Sequence, residues 1–157
     1  MQVRDLRDDE RGWLAERLTE RWGAVHVARL GVLRDASALP ALVAEQDGIG
    51  VGVLTYEVVD GACEVMTIDA FLEGAFVGSA LLSAVSQRAA NLACSRLWLI
   101  TSNDNLRALR FYQRRGLRLV ALHRGAVDAA RTLKPSIPLV GDYGIEIHDE
   151  IELAREL

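Results

Sequence analysis

Two Asp-Gly pairs, each set between apolar runs, constrain the fold of this chain more than any other feature. Asp47-Gly48 separates residues 41–45 from residues 49–59, and Asp60-Gly61 separates residues 49–59 from the run 63–68. A two-residue hairpin turn needs positive φ at its centre, which glycine adopts without a Cβ penalty and aspartate tolerates. Two such turns in succession predict a three-stranded antiparallel meander, and a wholly parallel, flavodoxin-like nucleotide binder is disfavoured.

The flanking segments add helices. Over residues 8–22, Leu14, Leu18 and Trp22 recur every four positions beside Trp13, while Glu16, Arg17, Glu20 and Arg21 lie elsewhere. That periodicity predicts an amphipathic helix capped by Asp8 or Asp9 and stopped at Gly23. Residues 25–33 read equally as a strand or as an ordered loop. Over residues 78–93, Leu81, Val85, Ala89 and Leu92 share one helical face, and the unbroken run Leu97-Trp98-Leu99-Ile100 predicts a strand buried on both sides. Residues 105–115 predict a helix ending at Gly116, and 117–122 a further strand. Strand-helix-strand connections favour parallel, right-handed pairing, so this half should join the meander in one mixed sheet.

The tail follows a different rhythm. A short helix is expected at 126–133, a non-helical link at 134–138, and a strand at 145–153 with Ile145, Ile147, Ile151 and Leu153 on one face. Asp149 falls on that face too, which calls for an Arg or Lys partner, a bulge, or a contact with substrate. The fold class expected is α/β (α+β), with a mixed, mostly antiparallel central sheet and helices on both faces. With 157 residues, 50% of them hydrophobic and 25% charged, the chain suits a single domain over 1–157.

Composition also narrows function. Eighteen basic residues against 22 acidic ones, and a pI near 5.4, argue against a nucleic-acid partner. Cys63 and Cys94 sit in apolar surroundings without metal-ligand spacing and are expected as buried free thiols, and His26, His123 and His148 are scattered, so no metal is expected. The charged start Met1-Gln2-Val3-Arg4-Asp5 and the lack of a long apolar run suggest a cytoplasmic protein without a membrane association.

The chemistry concentrates in residues 63–82, where a strand runs through a loop containing Gly74 and Gly78 into a helix. Backbone N–H groups at such a helix start, aided by the helix dipole, suit a phosphate. Further on stands Asn105-Leu106-Arg107-Ala108-Leu109-Arg110-Phe111-Tyr112-Gln113-Arg114-Arg115-Gly116-Leu117. This run, with the order of elements from Val3 to Leu122, resembles the GNAT superfamily of acyl-CoA-dependent N-acyltransferases, whose segment reads Asn-x-x-Ala-x-x-Phe-Tyr-x-x-x-Gly-Phe. Leu117 replaces the usual final aromatic. The tail resembles a bacterial branch of the superfamily.

The resemblance implies acetyl-CoA as cosubstrate and a small-molecule or peptide amine as acceptor. The pantetheine arm would pair with the backbone at Ile68, Asp69 and Ala70 and touch Asn105, and the amides of Phe76, Val77, Gly78, Ser79 and Ala80 would hold the pyrophosphate. Tyr112 would be the general acid. Glu64 would be the base, since its spacing from Ile68 predicts the same strand face, with Asp69 opposite. The family's pyrophosphate loop reads Gln/Arg-x-x-Gly-x-Gly/Ala, and here Glu73 takes the basic or amide position and Phe76 the first glycine. Those two departures favour the alternative of a GNAT-like module with weakened turnover that binds CoA, a metabolite or a protein. A homodimer is a further expectation, built on pairing of the 145–153 strand between copies.

Overall fold

The computed structural model describes residues 1–74 and 76–157. The chain divides into two compact units, one of Met1–His26, Asp35–Leu97 and Leu157, the other of Val27–Arg34 and Trp98–Glu156.

In the first unit the strands β1 (Gln2–Asp5), β4 (Ala41–Gln46), β5 (Ile49–Val59) and β6 (Ala62–Ala70) stand in that order, each antiparallel to its neighbour. The meander read from the Asp-Gly pairs is β4, β5 and β6. Asp47 and Gly48 have φ of 53° and 78°, and Asp60 and Gly61 of 50° and 74°, the double positive turn that matches strand twist.

Two helices cover opposite faces of this sheet. Helix α1 (Arg11–Trp22) buries Leu14 and Leu18, leaves Trp22 partly exposed and ends on Gly23 at φ 79°. Asp8 and Asp9 do not cap it. They lie in a 3-10 turn (Asp8–Glu10), where the Glu10 carboxylate accepts the Arg7 N–H at 2.8 Å and binds the Arg4 guanidinium. Helix α2 (Val77–Asn91) buries Leu81, Val85 and Ala89, whereas Leu92 is its exposed C-cap. A Cβ on Gly50 would meet the Trp13 ring of α1, and one on Gly52 would meet Val77 and Leu81 of α2. Gly50 and Gly52 face opposite sides because the β4–β5 register skips Val51, an extra residue in β5.

Cys63 and Cys94 are free and buried in this unit, as expected. Burial, reinforced by Cys94 and Glu64, pushes the Cys63 thiol up to about 12.

The second unit holds β2 (His26–Arg29) and β3 (Val32–Asp35), β7 (Arg96–Ser102), α3 (Leu106–Gln113), β8 (Arg118–His123), α4 (Ala126–Ala130) and β9 (Glu150–Glu156), apart from the few end residues that fall in the first. The ambiguous stretch 25–33 is a hairpin with a sheet of its own, β2 and β3 closing at Leu30 and Gly31 with φ of 46° and 73°. Along β7, Leu97, Leu99 and Thr101 are buried and Trp98 and Ile100 only half-buried, so the strand is not apolar-packed on both sides.

The expected parallel neighbour of β7 is replaced by the tail. Strand β9 lies between β7 and β8 and runs antiparallel to β8. It begins at Glu150, so the 145–153 strand is shorter than its alternation suggests and, lying between two neighbours, offers no open edge to a second copy. Residues 145–149 instead form a strap in which Ile147 is buried and Glu146 makes a lone bridge to Val140. Asp149 needs neither a basic partner nor a bulge, because its Oδ1 accepts the Gly125 N–H at 2.8 Å. The pairing is mostly antiparallel and helices lie on both faces of the meander, so the fold class expected from the sequence is the one found. Among the described residues no helix is long and apolar enough to cross a membrane.

Candidate active site

Strand β6 carries the first group of site residues, and its register decides where they point. Thr67 pairs with Thr55, but Val65 pairs with Tyr56, so Met66 is an extra residue in β6. Bulges of this kind re-aim side chains and recur beside active sites. Glu64 pairs with Glu57 and Ile68 with Leu54. Leu54 and Glu57 are an odd number of residues apart on β5 and face opposite sides, and cross-strand partners share a side. Glu64 is therefore on the face opposite Ile68 and shares the side of Asp69, Thr67 and Thr55. The equal-spacing argument fails because it assumes an unbroken strand.

That face looks toward α1. The Thr55 and Thr67 hydroxyls are 2.7 Å apart, and the Trp22 indole N–H donates to Asp69 Oδ2 at 2.8 Å. Burial raises the Asp69 carboxyl, opposed by the Trp22 hydrogen bond and the Arg21 charge. Glu64 is 4% exposed, so it is a buried carboxylate and not a solvated residue after a hairpin.

The backbone of β6 alternates as well. Phe71 donates its N–H to Val51 O at 2.8 Å, so Asp69, two residues earlier, also turns its backbone toward β5. Ile68 and Ala70 turn theirs the other way. Of the three residues expected to pair with pantetheine, only these two have backbone groups aimed away from the meander. The Ala70 carbonyl already accepts from the Arg21 guanidinium at 3.0 Å. Arg21 also lies 5.4 Å over the Phe71 ring.

At the start of α2, Phe76 is the N-cap in the left-handed region, φ 56° and ψ 21°, with 78% of its surface exposed. A non-glycine side chain there is strained by roughly 1–2 kcal/mol. The sequence places Phe76 where the family has glycine, and the backbone retains the glycine-like conformation with the ring turned out to solvent. Inside the helix the Ala80 amide donates to Phe76 O at 3.0 Å. Ala80 is thus committed to the helix, contrary to its expected role, whereas the N–H groups of Val77 and Gly78 have no acceptor within the helix. Ser79 follows them in the same first turn, and Glu73 is exposed in the preceding loop.

The second unit carries Asn105 and Tyr112. Asn105 is the N-cap of α3: its Oδ1 accepts the Ala108 N–H at 3.4 Å and its Nδ2 donates to Thr101 Oγ1 at 3.2 Å. Tyr112 is buried, edge-on to Phe111 with ring centroids 5.3 Å apart. Its carbonyl accepts the N–H groups of Arg115 and Leu117, which closes the helix at Gly116.

Sequence reasoning missed Asn103 and Asp104, just before this helix. Asn103 Oδ1 accepts the N–H groups of His148 and Asp149, both at 3.0 Å, and its Nδ2 donates to Glu146 O. Asp104 is buried and accepts from Ser102 Oγ and the Asp142 N–H. The tail strap is therefore fastened to the loop that starts α3. Asx side chains before a helix cap give a local hint of such bonds, but their long-range partners leave no signal. Among the described residues no group of three His, Cys, Asp or Glu is placed to hold a metal ion.

A bulged strand that runs through a glycine turn into a helix with open first amides is the anion-binding arrangement of α/β proteins. Within that class, residues 3–117 match the model of the Acetyltransferase (GNAT) family, and the chain belongs to that family. It is 37% identical over 143 residues, 90% of this chain and 89% of the other, to uncharacterized protein YdhI of Bacillus subtilis (strain 168). Among solved structures it is similar to the IAA acetyltransferase from Bacillus cereus ATCC 14579, at 23% identity and a TM-score of 0.69 over 99% of each chain. A GNAT family acetyltransferase from Elizabethkingia anophelis with acetyl-CoA bound is similar at 19% identity and a TM-score of 0.69, over 99% of this chain and 97% of that one. These two structural likenesses are likenesses of fold.

Proposed function

We propose that this protein is an N-acetyltransferase that moves an acetyl group from acetyl-CoA to a primary amine. The observation that carries the reading is the start of α2, where the open amides of Val77 and Gly78 follow a backbone held in the left-handed region at Phe76. Those amides fit a pyrophosphate, and the outward backbone groups of Ile68 and Ala70 fit an amide-bearing arm laid along β6. Asn105 would add a contact to that arm by sharing its capping amide.

Acetyl-CoA supplies the activated acyl carbon. An alkyl ammonium, with a reference pKa of about 10.4, must lose a proton before its nitrogen can attack. Glu64, buried beside the Met66 bulge, would accept that proton. As the carbon–sulfur bond breaks, the departing thiolate takes a proton, which the Tyr112 phenol would donate.

Acetyl-CoA at about a hundred times its Kd should stabilise the fold by about 2.7 kcal/mol and raise Tm by roughly 5–10 °C. No shift at millimolar acetyl-CoA would sink the reading. A second reading, a module that binds CoA or another ligand without efficient turnover, is favoured by Phe76 and by the acid Glu73 in the same loop. Screening amines for CoA release separates the two, since the module gives acetyl-CoA binding without release.

Phe76→Gly tests the loop directly. Glycine adopts φ near 56° freely and removes a Cβ from the path of the pyrophosphate. Calorimetry should record tighter acetyl-CoA binding. Weaker binding would instead make the ring part of the pocket wall.

A further inference from the structure

Strand β8 comes last in the strand order of its sheet, so β9 takes one of its edges and the other is open. An open edge carries backbone groups that can receive a further strand, and proteins usually blunt it with charge or a bulge. Both devices are present here, but with apolar side chains between them. Leu119, Val120 and Leu122 are 55%, 52% and 64% exposed, with exposed arginines at 118 and 124 on either side. In the pairing with β9 the register skips Val120, and Leu119 stands opposite Leu153 and Leu122 opposite Ile151. Cross-strand partners share a side, so the bulge brings Leu119 and Leu122 onto one face. Arg118, opposite Ala154, lies on the other.

The charge around this edge is of one sign. From Asn105 to Val127 there is no Asp or Glu, although the chain as a whole is acidic. Helix α3 and its C-cap set Arg107, Arg110 and Arg114 three and four positions apart, along one exposed face. The guanidinium groups of Arg107, Arg110, Arg114, Arg118 and Arg124 make no hydrogen bond or ion pair among the described residues. Every other arginine has a hydrogen bond, ion pair, ring contact or other electrostatic interaction, as Arg88 has with Asp5 and Arg131 with Asp128. Unpaired charges of one sign gathered in one region repel each other, and an anionic partner relieves that repulsion.

We propose that the open edge of β8 docks an extended segment of a partner protein in which acidic and apolar residues alternate. Backbone hydrogen bonds to the edge hold the segment, its apolar side chains cover Leu119 and Leu122, and its carboxylates meet Arg118 on the other face. A second copy of this chain is the wrong occupant. Antiparallel self-pairing along β8 sets Arg118 of one copy against His123 or Arg124 of the other, and parallel self-pairing in register sets Arg118 beside Arg118. Neither brings a carboxylate to Arg118, and like charges placed opposite each other are destabilising. A nucleic acid would satisfy the arginines but leave the three apolar side chains between them in water. This surface does not rest on the acetyltransferase reading.

The test titrates the full chain into a short fluorescein-labelled peptide of alternating glutamate and valine and reads anisotropy. The wild type should bind it saturably, and more weakly as salt is raised. Leu122→Ser, and Arg118→Gln combined with Arg124→Gln, should each lose about tenfold in affinity at an unchanged Tm, since all three side chains are exposed. The same peptide with lysine for glutamate should not bind. Absence of binding to the glutamate peptide, equal binding of the lysine peptide, or equal affinity in the variants would overturn the proposal. So would a single-stranded oligonucleotide that binds wild type and Leu122→Ser alike, which marks a site for any polyanion. A dimer in sedimentation equilibrium that Leu122→Ser abolishes would give the edge to a second copy and overturn it too. Acetyl-CoA added to the peptide complex should leave the anisotropy unchanged; displacement would assign the arginines to the cofactor's phosphates and overturn the docking surface, while leaving the acetyltransferase reading standing.

Discussion

Tyr112→Phe should lower kcat by about 100-fold or more, the usual worth of a positioned general acid, with little change in acetyl-CoA binding. The substitution deletes one hydroxyl and keeps the ring, so the edge-on packing against Phe111 survives. The Asn105 cap and the Leu117 N–H bond to the Tyr112 carbonyl hold the helix through other atoms. A fall in kcat at an unchanged Tm would thus report chemistry and not a disturbed α3. Steady-state kinetics at saturating amine, together with an acetyl-CoA titration, make the measurement. An unchanged kcat would remove Tyr112 from the mechanism.

Gly52→Ala is expected to have the largest effect on stability. A Cβ there would clash with Val77 Cγ1 and lie 2.9 Å from Asp69 O and 3.2 Å from Leu81 Cδ1. Val77 and Leu81 are buried, valine is stiff at χ1, and Asp69 O is backbone, so none of the three has room to swing away. Overpacking of this kind costs about 1–3 kcal/mol. Relief requires α2 to move off the sheet, which would shift the Val77 and Gly78 amides away from the end of β6. Denaturant unfolding should show the lost stability and calorimetry a weaker hold on acetyl-CoA. Wild-type values in both would mean that the layer has slack at Gly52.

The readable parts of the fold are those whose causes are local. Asp47-Gly48 and Asp60-Gly61 specify their turns by their own backbone preferences, so the meander follows from six or so residues at a time. Leu30-Gly31 makes the same kind of turn, but a leucine in the left-handed region carries no such signature, and the hairpin stayed ambiguous. The bulge at Met66 depends on how β6 meets β5, and without it Glu64 is assigned to the wrong face. The place of β9 between β7 and β8 is likewise a matter of pairing between distant segments. At the candidate site, Phe76 and Tyr112 were legible from spacing within a motif. Asn103 was not, because the backbone N–H groups it holds lie 45 and 46 positions further along the chain.

The two buried thiols have a practical consequence for assays. A transfer reaction that liberates CoA can be followed by a chromogenic disulfide reagent, which reacts with thiolates. Cys63 is fully buried and its thiol is pushed up to about 12, and Cys94 is only 6% exposed. At neutral pH the folded protein should consume almost no reagent of its own, so the colour that develops can be credited to product. The same reagent becomes a gauge of unfolding, since both sulfurs turn reactive once the β-sheet opens.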